Sequence, residues 1–339
     1  MSGERDDIIA RFLKENGWGN AERSLLAGDA SFRRYDRIVD GEKRAVLMDA
    51  PPPEEDVRPF VLIARHLTGL GYSAPKILAA DEDAGLLLLE DLGDDTYTRV
   101  LARGGDEQAL YGLAVDVLID LHKRPPEEAL PKGLPPYGNG RLLDEAFLAP
   151  QWTYPAFAGE VPPEDVRRAY GEGWLELFPH VHAGPKTLVL RDYHVDNLLW
   201  LPERSGVAAC GLLDFQDAVS GHPAYDLMSL LEDARRDIDG DLKTEMMDRY
   251  LAAFPDQDRE TFTTAFAILA AQRHAKVIGI FTRLCQRDGK PDYLVHIPRV
   301  WSLLEAALEH PRLSDMKHWF DTYMPTSMRD VPPVTGATT

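Results

Sequence analysis

The sequence predicts a two-lobed protein of the α+β class, with a small antiparallel β-sheet ahead of a larger, mainly helical part. Before residue 93, two predicted hairpins alternate with two predicted helices, whereas helical periodicity dominates after that residue. The 339 residues and the hydrophobic content of 44% are sufficient for two sizeable cores. We therefore expect an N-terminal lobe at residues 1–92, a C-terminal lobe at residues 93–324 and a flexible tail at residues 325–339.

The N-terminal lobe is predicted from changes in hydrophobic period along the chain. Apolar residues recur at helical spacing between residues 8 and 13, which indicates a first helix. Residues 31–50 then read as a hairpin, because Asp40-Gly41 is a strong turn signal between two strand-like runs. A second helix and a second hairpin follow at residues 59–70 and 76–92.

The C-terminal lobe is predicted to be helical with three short strand candidates. Helical patterns cover residues 96–123, and the proline- and glycine-rich segment at residues 125–140 indicates a loop or linker. After residue 187, the strand candidates are TLVL, NLLWL and ACGLLDF, and residues 223–323 return to helical periodicity.

Composition favours a small-molecule ligand. The chain has 37 Lys and Arg residues against 56 Asp and Glu residues, and its net charge of −19 opposes nonspecific binding to nucleic acid or anionic membrane. Cys210 and Cys285 are far apart in the sequence and suggest neither a disulfide framework nor a zinc site. There is no long apolar segment typical of a membrane anchor. We expect a cytoplasmic protein with no nucleic-acid, membrane or obligate protein partner.

The polar segment RDYHVDN interrupts two strand candidates and contains the first candidate catalytic residues. Asp192 and Asn197 are five residues apart, as in the catalytic loop of kinases, where the carboxylate receives a hydroxyl proton and the carboxamide binds Mg²⁺. This spacing alone fits a polar turn equally well, and His194 within it is more simply a structural residue. Asp214 follows the next strand candidate, in GLLDFQDA, and would supply a second oxygen ligand for Mg²⁺ on ATP phosphates.

Three motifs in this order and spacing resemble the aminoglycoside phosphotransferase and choline kinase superfamily: RDYHVDN, LDFQDA and HPAYDL. The resemblance implies a bilobal protein-kinase-like fold with an N-terminal nucleotide-binding lobe and a C-terminal catalytic and substrate-binding lobe. It also implies ATP and Mg²⁺ as cofactors, Asp192 as the catalytic residue, and Asn197 and Asp214 as metal ligands. Arg191 and Asp226 would support the loop structurally, although Asp226 could also simply begin a helix.

Further positions follow from the same resemblance. The segment LLLLEDLG is similar to the superfamily's hinge, which implies that backbone groups near Glu90 and Leu92 bind adenine. Ser31 lies in AGDASFRRY, a reduced form of the glycine-rich phosphate loop, and is a candidate nucleotide-binding residue. Leu190 stands where the superfamily usually has a histidine, so the loop must be anchored in another way.

The sequence departs from the superfamily at the lysine that binds the phosphates of ATP. In the strand AVLMDA, Met48 or a neighbour stands where this lysine is expected. An arginine from the first hairpin, Arg33 or Arg34, could replace it, since guanidinium groups pair well with phosphate oxygens. Neighbouring side chains in a strand point to opposite faces, so at most one of the two would face the nucleotide.

The acceptor is suggested by a closer resemblance in several segments, among them GDASFRRY, MDAPPPEEDVRPFV and QRHAKVIGIFTRL. They are similar to the anomeric kinases for N-acetylmuramate and N-acetylglucosamine in peptidoglycan recycling, which implies phosphorylation of an amino sugar at its C1 hydroxyl. Two alternatives stay open: another hydroxyl substrate, such as an aminoglycoside or choline, and a nucleotide-binding pseudokinase that lacks the lysine.

Candidate substrate-binding residues lie mainly on a predicted helix with a local excess of positive charge. Residues 271–290 contain five basic residues and one acidic residue. In a helix, Arg273, Lys276, Arg283 and Arg287 would fall within a wedge of roughly 80°. This stripe could bind the lactyl carboxylate of N-acetylmuramate or pair with surplus acids on neighbouring helices. Trp152 could stack on a sugar or pack in the core, and Asp217 is a further candidate.

Overall fold

The computed structural model describes residues 2–28 and 32–333, and spatial proximity divides the chain into two compact units. The first unit comprises Met1–Val117 and Val195–Ala218, and the second comprises Leu118–His194 and Val219–Thr339. The lobe boundaries that we expect at residues 92 and 324 were drawn from the hydrophobic period of the sequence, whereas the two units are defined by spatial proximity. The lobe boundaries therefore stay predictions. None of the described helices has the length and apolar character needed to cross a membrane.

An antiparallel sheet dominates the first unit. Five strands pair in the order β1-β2-β3-β5-β4 among the described residues. Their bounds are β1 (Glu22–Gly28), β2 (Arg34–Asp40), β3 (Lys43–Asp49), β4 (Ile77–Asp81) and β5 (Leu86–Glu90). The predicted turn at Asp40-Gly41 is confirmed, because Asp40 pairs with Lys43 and Gly41 has φ +61°, a left-handed conformation that glycine adopts without steric cost.

Both faces of the central strands are covered. On one face, Ile38 and Leu47 belong to the buried cluster that also contains Phe12 and Leu13 of the first helix. On the other face, Val46 pairs with Leu89 beside a cavity. This arrangement explains why β3 and β5 read as continuous apolar runs instead of alternating patterns.

Among the described residues, four helices begin in the first unit: α1 (Ser2–Glu15), α2 (Arg58–Gly69), α3 (Tyr97–Ala102) and α4 (Glu107–His122). Thr96 caps the start of α3, because its hydroxyl accepts the Arg99 N–H. Helix α4 runs from the first unit into the second.

Short strands surround the predicted catalytic loop. Their bounds are β6 (Thr187–Val189), β7 (Leu198–Trp200), β8 (Cys210–Leu212) and β9 (Val219–Gly221). Strands β7 and β8 form an antiparallel hairpin in the first unit, and β6 pairs with β9 in the second. We refer to residues 190–197, between β6 and β7, as the 190–197 loop.

The second unit is mainly helical, as predicted. Its helices are α5 (Pro126–Ala129), α6 (Asn139–Ala146), α7 (Tyr154–Ala158), α8 (Glu164–His182), α9 (Ala224–Leu231), α10 (Gly240–Ala252), α11 (Arg259–Asp288), α12 (Ile297–Leu308) and α13 (Ser314–Tyr323). The predicted loop at residues 125–140 therefore contains one short helix and the start of another. Within the predicted tail, Arg329 pairs with Glu305 and Asp321, and residues 334–339 lie outside the described part of the chain.

Helix α11 is the central element of the second unit. Asp258 caps its beginning by accepting the Thr261 N–H at 2.8 Å, and Gly289 ends it with φ +66°. Residues on most of its circumference are buried, including Arg273 and Lys276. A helix buried on most sides can bring charged groups into the core only if those groups find partners there.

Candidate active site

The first unit contains a cavity of about 370 Å³ beside the sheet. Its walls include apolar side chains from β3, β5, β7 and the segment after β8, and these are Val46, Leu89, Leu199 and Leu213. The predicted adenine segment, Glu90 to Gly93, lines the cavity, as do Asn197 and Asp214. Apolar walls with a few polar groups are typical of small-molecule sites of this size.

Arginines hold the acidic side chains of the predicted adenine segment. Arg204 donates to Glu90 Oε1 at 2.8 Å, and Arg37 donates to Asp91 at 2.7 Å. The Glu90 N–H donates to the Lys76 carbonyl at 2.8 Å, so a Glu90 backbone contact with adenine would come from its carbonyl oxygen. Glu90 and Leu92 both line the cavity, and their binding of adenine stays a prediction.

The two predicted metal ligands lie next to each other. Asn197 Nδ2 lies 3.4 Å from Asp214 Oδ2, and the Leu213 N–H donates to the Asn197 carbonyl at 2.9 Å. Asp214 has φ +56°, a left-handed conformation that is uncommon for non-glycine residues, although aspartate adopts it more often than most, and such residues cluster at functional sites. Gln216 fixes its other carboxylate oxygen with a hydrogen bond of 2.8 Å.

This pair fits a magnesium ion bound together with phosphates. Mg²⁺ prefers oxygen ligands and usually needs only one or two protein carboxylates, with phosphate and water completing its shell. Asn197 and Asp214 offer a carboxamide oxygen and a carboxylate at the wall of the cavity. In the described residues, no cluster of three His, Cys, Asp or Glu side chains could hold a metal by protein ligands alone.

A second, smaller cavity in the first unit, of about 170 Å³, contains Arg33. Its lining also includes Met48, Glu55, Gln216 and Asp217. Arg33 Nε lies 3.5 Å from Glu55 Oε2, and Glu55 Oε1 accepts the Phe32 N–H at 3.1 Å. Met48 is fully buried, so this strand position is apolar where a lysine was expected.

The neighbouring arginine has different surroundings. The Arg34 side chain is 56% exposed, and its Nε donates to Asp36 Oδ1 at 2.9 Å. Of the two arginines proposed to replace the lysine, Arg33 is the one that lines a cavity. Ser31, the other nucleotide-binding candidate from this segment, lies outside the described residues.

In the second unit, Asp192 lies beside a buried arginine of α11. Arg273 Nη2 is 3.4 Å from Asp192 Oδ1, and about a third of the Asp192 side chain, 34%, is exposed. Burial raises the pKa of this carboxyl, but the nearby cations Arg273 and Lys276 outweigh that effect and lower the pKa to about 2. The group is therefore an ionised acceptor at neutral pH.

Asp226, at the start of α9, anchors the 190–197 loop through its backbone. The Leu190 N–H donates to Asp226 Oδ2 at 2.6 Å, and the Arg191 N–H donates to Oδ1 at 2.9 Å. Arg191 has φ +72°, so these bonds hold a strained residue directly before Asp192. Burial raises the pKa of Asp226 to about 7 although both backbone bonds oppose the shift. The loop is thus fixed from α9, although residue 190 is leucine.

Sequence reasoning missed a partly buried acid that contacts three residues of this region. Glu145 of α6 forms ion pairs with Arg191 and with Lys276, the latter at 3.2 Å, and accepts a hydrogen bond from the Tyr137 hydroxyl. It is one of 56 acidic residues and belongs to none of the motifs. Its burial within the second unit is its distinguishing property, and no sequence pattern carries that information.

A sequence profile of the "Phosphotransferase enzyme family" matches residues 22–262. The chain belongs to this family. A kinase of *Caulobacter vibrioides*, named N-acetylmuramate/N-acetylglucosamine kinase, is 39% identical over 97% of this chain and 99% of its own length. Family membership and this relative support a phosphotransfer reaction on a small molecule.

Solved structures confirm the predicted fold class for this member of the phosphotransferase family. Choline kinase LicA from *Streptococcus pneumoniae* has a TM-score of 0.63 at 13% identity, covering 91% of this chain and all of that one. The ADP-bound aminoglycoside phosphotransferase APH(2'')-Ib has a TM-score of 0.53 at 16% identity, covering 89% of this chain and 98% of that one. At these identities the likeness concerns the fold alone.

The residues predicted to bind the substrate of this phosphotransferase family member have contrasting environments. Arg273 and Lys276 are buried and paired, Arg283 is half-buried, and burial lowers its pKa. Trp152 is half-buried in a π-helical turn (Ala149–Thr153), and Asp217 is exposed in the first unit. The assignment of these side chains to the sugar stays a prediction.

Proposed function

We propose that this protein is an ATP- and Mg²⁺-dependent kinase that phosphorylates the C1 hydroxyl of N-acetylmuramate and N-acetylglucosamine. The observation that carries the choice of sugars is the 39% identity to the *C. vibrioides* kinase over nearly the whole of both chains. The C1 position, a role in recycling cell-wall sugars and a cytoplasmic location belong to the same proposal.

The first unit would bind the nucleotide. The apolar walls of the 370 Å³ cavity suit adenine next to Glu90 and Leu92, and the phosphates would extend toward Asn197 and Asp214, which also line it. When bound, Mg²⁺ would be held by the Asn197 and Asp214 oxygens and would neutralise charge on the phosphates. The presence of this polar pair at the cavity wall favours an active kinase over a pseudokinase.

Asp192 would act on the acceptor. Its carboxylate would accept a hydrogen bond from the C1 hydroxyl and orient the oxygen toward the γ-phosphorus of ATP. As the new O–P bond forms, the bond to the departing ADP oxygen breaks and the hydroxyl proton passes to Asp192 and then to solvent. Most of the rate enhancement in such a transfer comes from positioning and electrostatics.

The acceptor is tested by measuring ADP release with N-acetylmuramate, N-acetylglucosamine, glucose, choline and kanamycin. We expect release with the two N-acetyl sugars and a ³¹P resonance coupled to the anomeric proton of the product. A phosphate at C6, or activity with kanamycin alone, would overturn the C1 assignment. ATP binding without ADP release for any acceptor would support the pseudokinase.

The role of Asp192 is tested by Asp192→Asn with Asp165→Asn as a matched control, since Asp165 is an exposed acid in the first turn of α8. We expect Asp192→Asn to lower kcat by at least about 100-fold, as for loss of a general base, with nucleotide affinity retained. Asp165→Asn should keep normal kinetics. An Asp192→Asn enzyme with normal kcat would remove this residue from the mechanism.

A further inference from the structure

Two basic side chains of α11 are buried in the second unit close to Asp192. Arg273 is 8% exposed and Lys276 is 6% exposed. Burial of a cation costs several kcal/mol unless it is paired and hydrogen-bonded, so each must have partners that compensate it. The identity of these partners indicates what the two residues do.

Arg273 joins the side chain of Asp192 to the backbone of the preceding residue. Its Nη2 lies 3.4 Å from Asp192 Oδ1, and its Nη1 donates to the Arg191 carbonyl at 3.0 Å. Nη1 also donates to the Tyr225 hydroxyl at 3.1 Å, and the guanidinium lies 5.5 Å from the centre of the Tyr225 ring. The planar fork of arginine can bridge a carboxylate and a carbonyl in a fixed arrangement, which an ammonium group cannot reproduce.

The bridged carbonyl belongs to the strained residue of the loop. Arg191 has φ +72°, and its carbonyl also accepts a hydrogen bond from Ser229 Oγ at 3.3 Å. Asp226 holds the N–H of the same residue. Hydrogen bonds therefore hold Arg191 on both sides of its Cα. Arg273 links the Arg191 carbonyl to the Asp192 carboxylate and so restrains the position of that carboxylate.

The remaining charges of this region are balanced by Glu145. This partly buried carboxylate pairs with the Arg191 guanidinium and with Lys276 Nζ. The Arg191 and Lys276 charges are thus partly compensated within the network, and the Arg273 guanidinium contacts Asp192. The lowered pKa of Asp192 agrees with this arrangement.

We propose that Arg273 is a positioning residue for phosphoryl transfer, because it fixes the Asp192 carboxylate against the backbone of the 190–197 loop. This role rests on the proposed function of Asp192 as the residue that orients the acceptor hydroxyl. In a loose phosphoryl-transfer transition state the attacking oxygen carries little bonding, so orientation contributes more than basicity. A weakly basic but rigidly held carboxylate suits that requirement.

The positioning role differs in its consequences from the binding of a lactyl carboxylate. A residue that positions Asp192 affects the chemical step for every acceptor. A residue that binds the lactyl group affects N-acetylmuramate and leaves N-acetylglucosamine unchanged, because the second sugar has no lactyl group. The comparison of both sugars therefore separates the two roles.

The experiment compares Arg273→Gln and Arg273→Lys with the wild type, and uses Arg259→Gln as the control. Arg259 lies on the same helix, is exposed and pairs with Asp248. We expect Arg273→Gln to lower kcat roughly 100-fold for both sugars, the order of effect for a slightly misplaced reacting group. The KM for ATP should stay within about threefold, since the chemical step and not nucleotide binding is affected. Arg273→Lys should recover part of kcat, and Arg259→Gln should match the wild type.

A double mutant separates positioning from general damage to the fold. In an Asp192→Asn background, Arg273→Gln should change kcat by less than about threefold, because coupled residues are non-additive. The positioning role is overturned by an unchanged kcat in Arg273→Gln, by a loss restricted to N-acetylmuramate, or by the full loss in both backgrounds. If Arg273→Gln does not fold, Arg273→Lys takes its place in the comparison with Asp192→Asn. A wild-type kcat in Arg273→Lys would then overturn the positioning role.

Failure of the proposed sugar kinase function can be distinguished from failure of the positioning role of Arg273. Wild-type enzyme that releases no ADP with either N-acetyl sugar contradicts the sugar assignment. The Arg273 variants are then compared with wild type on whichever acceptor of the panel supports ADP release. Equal kcat values there overturn the positioning role, and a selective loss of kcat supports it.

Discussion

We propose that Arg33 substitutes for the absent lysine, and its replacement by alanine should therefore impair the use of ATP. Its side chain is 13% exposed, lines the 170 Å³ cavity and lies 3.5 Å from Glu55. Paired acidic and basic groups of this kind are used by kinases to hold a phosphate-binding cation in place. Met48, on the strand that would carry the lysine, offers no charge.

The size of the effect follows from the bond that would be lost. A hydrogen bond to a charged group contributes about 1.5–3 kcal/mol, which corresponds to roughly 10- to 150-fold in kcat/KM for ATP. The alanine variant should lie toward the upper limit, because it also leaves the Glu55 carboxylate without its Arg33 ion pair. Arg33→Lys should be intermediate, since lysine keeps the charge but loses the planar fork.

The assay is steady-state ADP release over a range of ATP concentrations at saturating sugar. Arg34→Ala is the matched control, because Arg34 is its sequence neighbour, is largely exposed and pairs with Asp36. Equal kcat/KM for ATP in the wild type and in Arg33→Ala would refute the replacement of lysine by Arg33. A larger loss in Arg34→Ala would show that the wrong arginine has been chosen.

Three further predictions concern the carboxylates. Asp226→Asn should lower the free energy of unfolding by about 1–3 kcal/mol, since the asparagine amide nitrogen cannot accept a hydrogen bond and one of the two backbone N–H groups loses its partner; an unchanged denaturation midpoint would contradict this. Asp214→Asn should raise the Mg²⁺ concentration needed for half-maximal rate at fixed ATP, and an unaltered Mg²⁺ titration would argue against its role as a ligand. The pKa of Asp192 is lowered from 3.8 to about 2, so its stabilising contribution is present above pH 4 and is lost as the pH falls through about 2. Because a third of the side chain is exposed, the stability difference between wild type and Asp192→Asn should shrink by only about 1 kcal/mol between pH 5 and pH 2, and a difference that does not vary with pH would disprove the linkage.

The sequence predicted those features that local chemistry determines. The hairpin turn at Asp40-Gly41 requires a residue that tolerates positive φ. The spacing of Asp192, Asn197 and Asp214 matches the pattern expected of a phosphoryl-transfer site, and their roles stay predictions. Such constraints act on neighbouring residues and are visible in one sequence. The placement of Asn197 beside Asp214 is the structural counterpart of that spacing.

Other features escaped prediction because they depend on tertiary burial. Strand β1 is an exposed edge strand, with Leu25 65% exposed, and therefore lacks the alternation that marks a half-buried strand. Strand β9 (Val219–Gly221) does not lie in a longer apolar run, unlike the equally short β6, β7 and β8, and therefore gave no strand signal. The stripe on α11 was placed on one helix face correctly, but periodicity does not reveal which residues cover that face, and Arg273 and Lys276 are buried.

The burial of these two cations bears on how a kinase could accept both proposed sugars. A cation reserved for the lactyl carboxylate would favour N-acetylmuramate by about 1.5–3 kcal/mol, or roughly 10- to 150-fold. Lys276 is paired with Glu145 and Arg273 contacts Asp192, so selection should instead depend on groups that the two sugars share, the acetamido group above all. We therefore expect kcat/KM values for the two sugars within about tenfold of each other, and a loss of at least about 100-fold for glucose, which lacks the acetamido group. Competition assays with paired sugars measure these ratios directly, and a preference for N-acetylmuramate beyond about 100-fold would require a cation for the lactyl group after all.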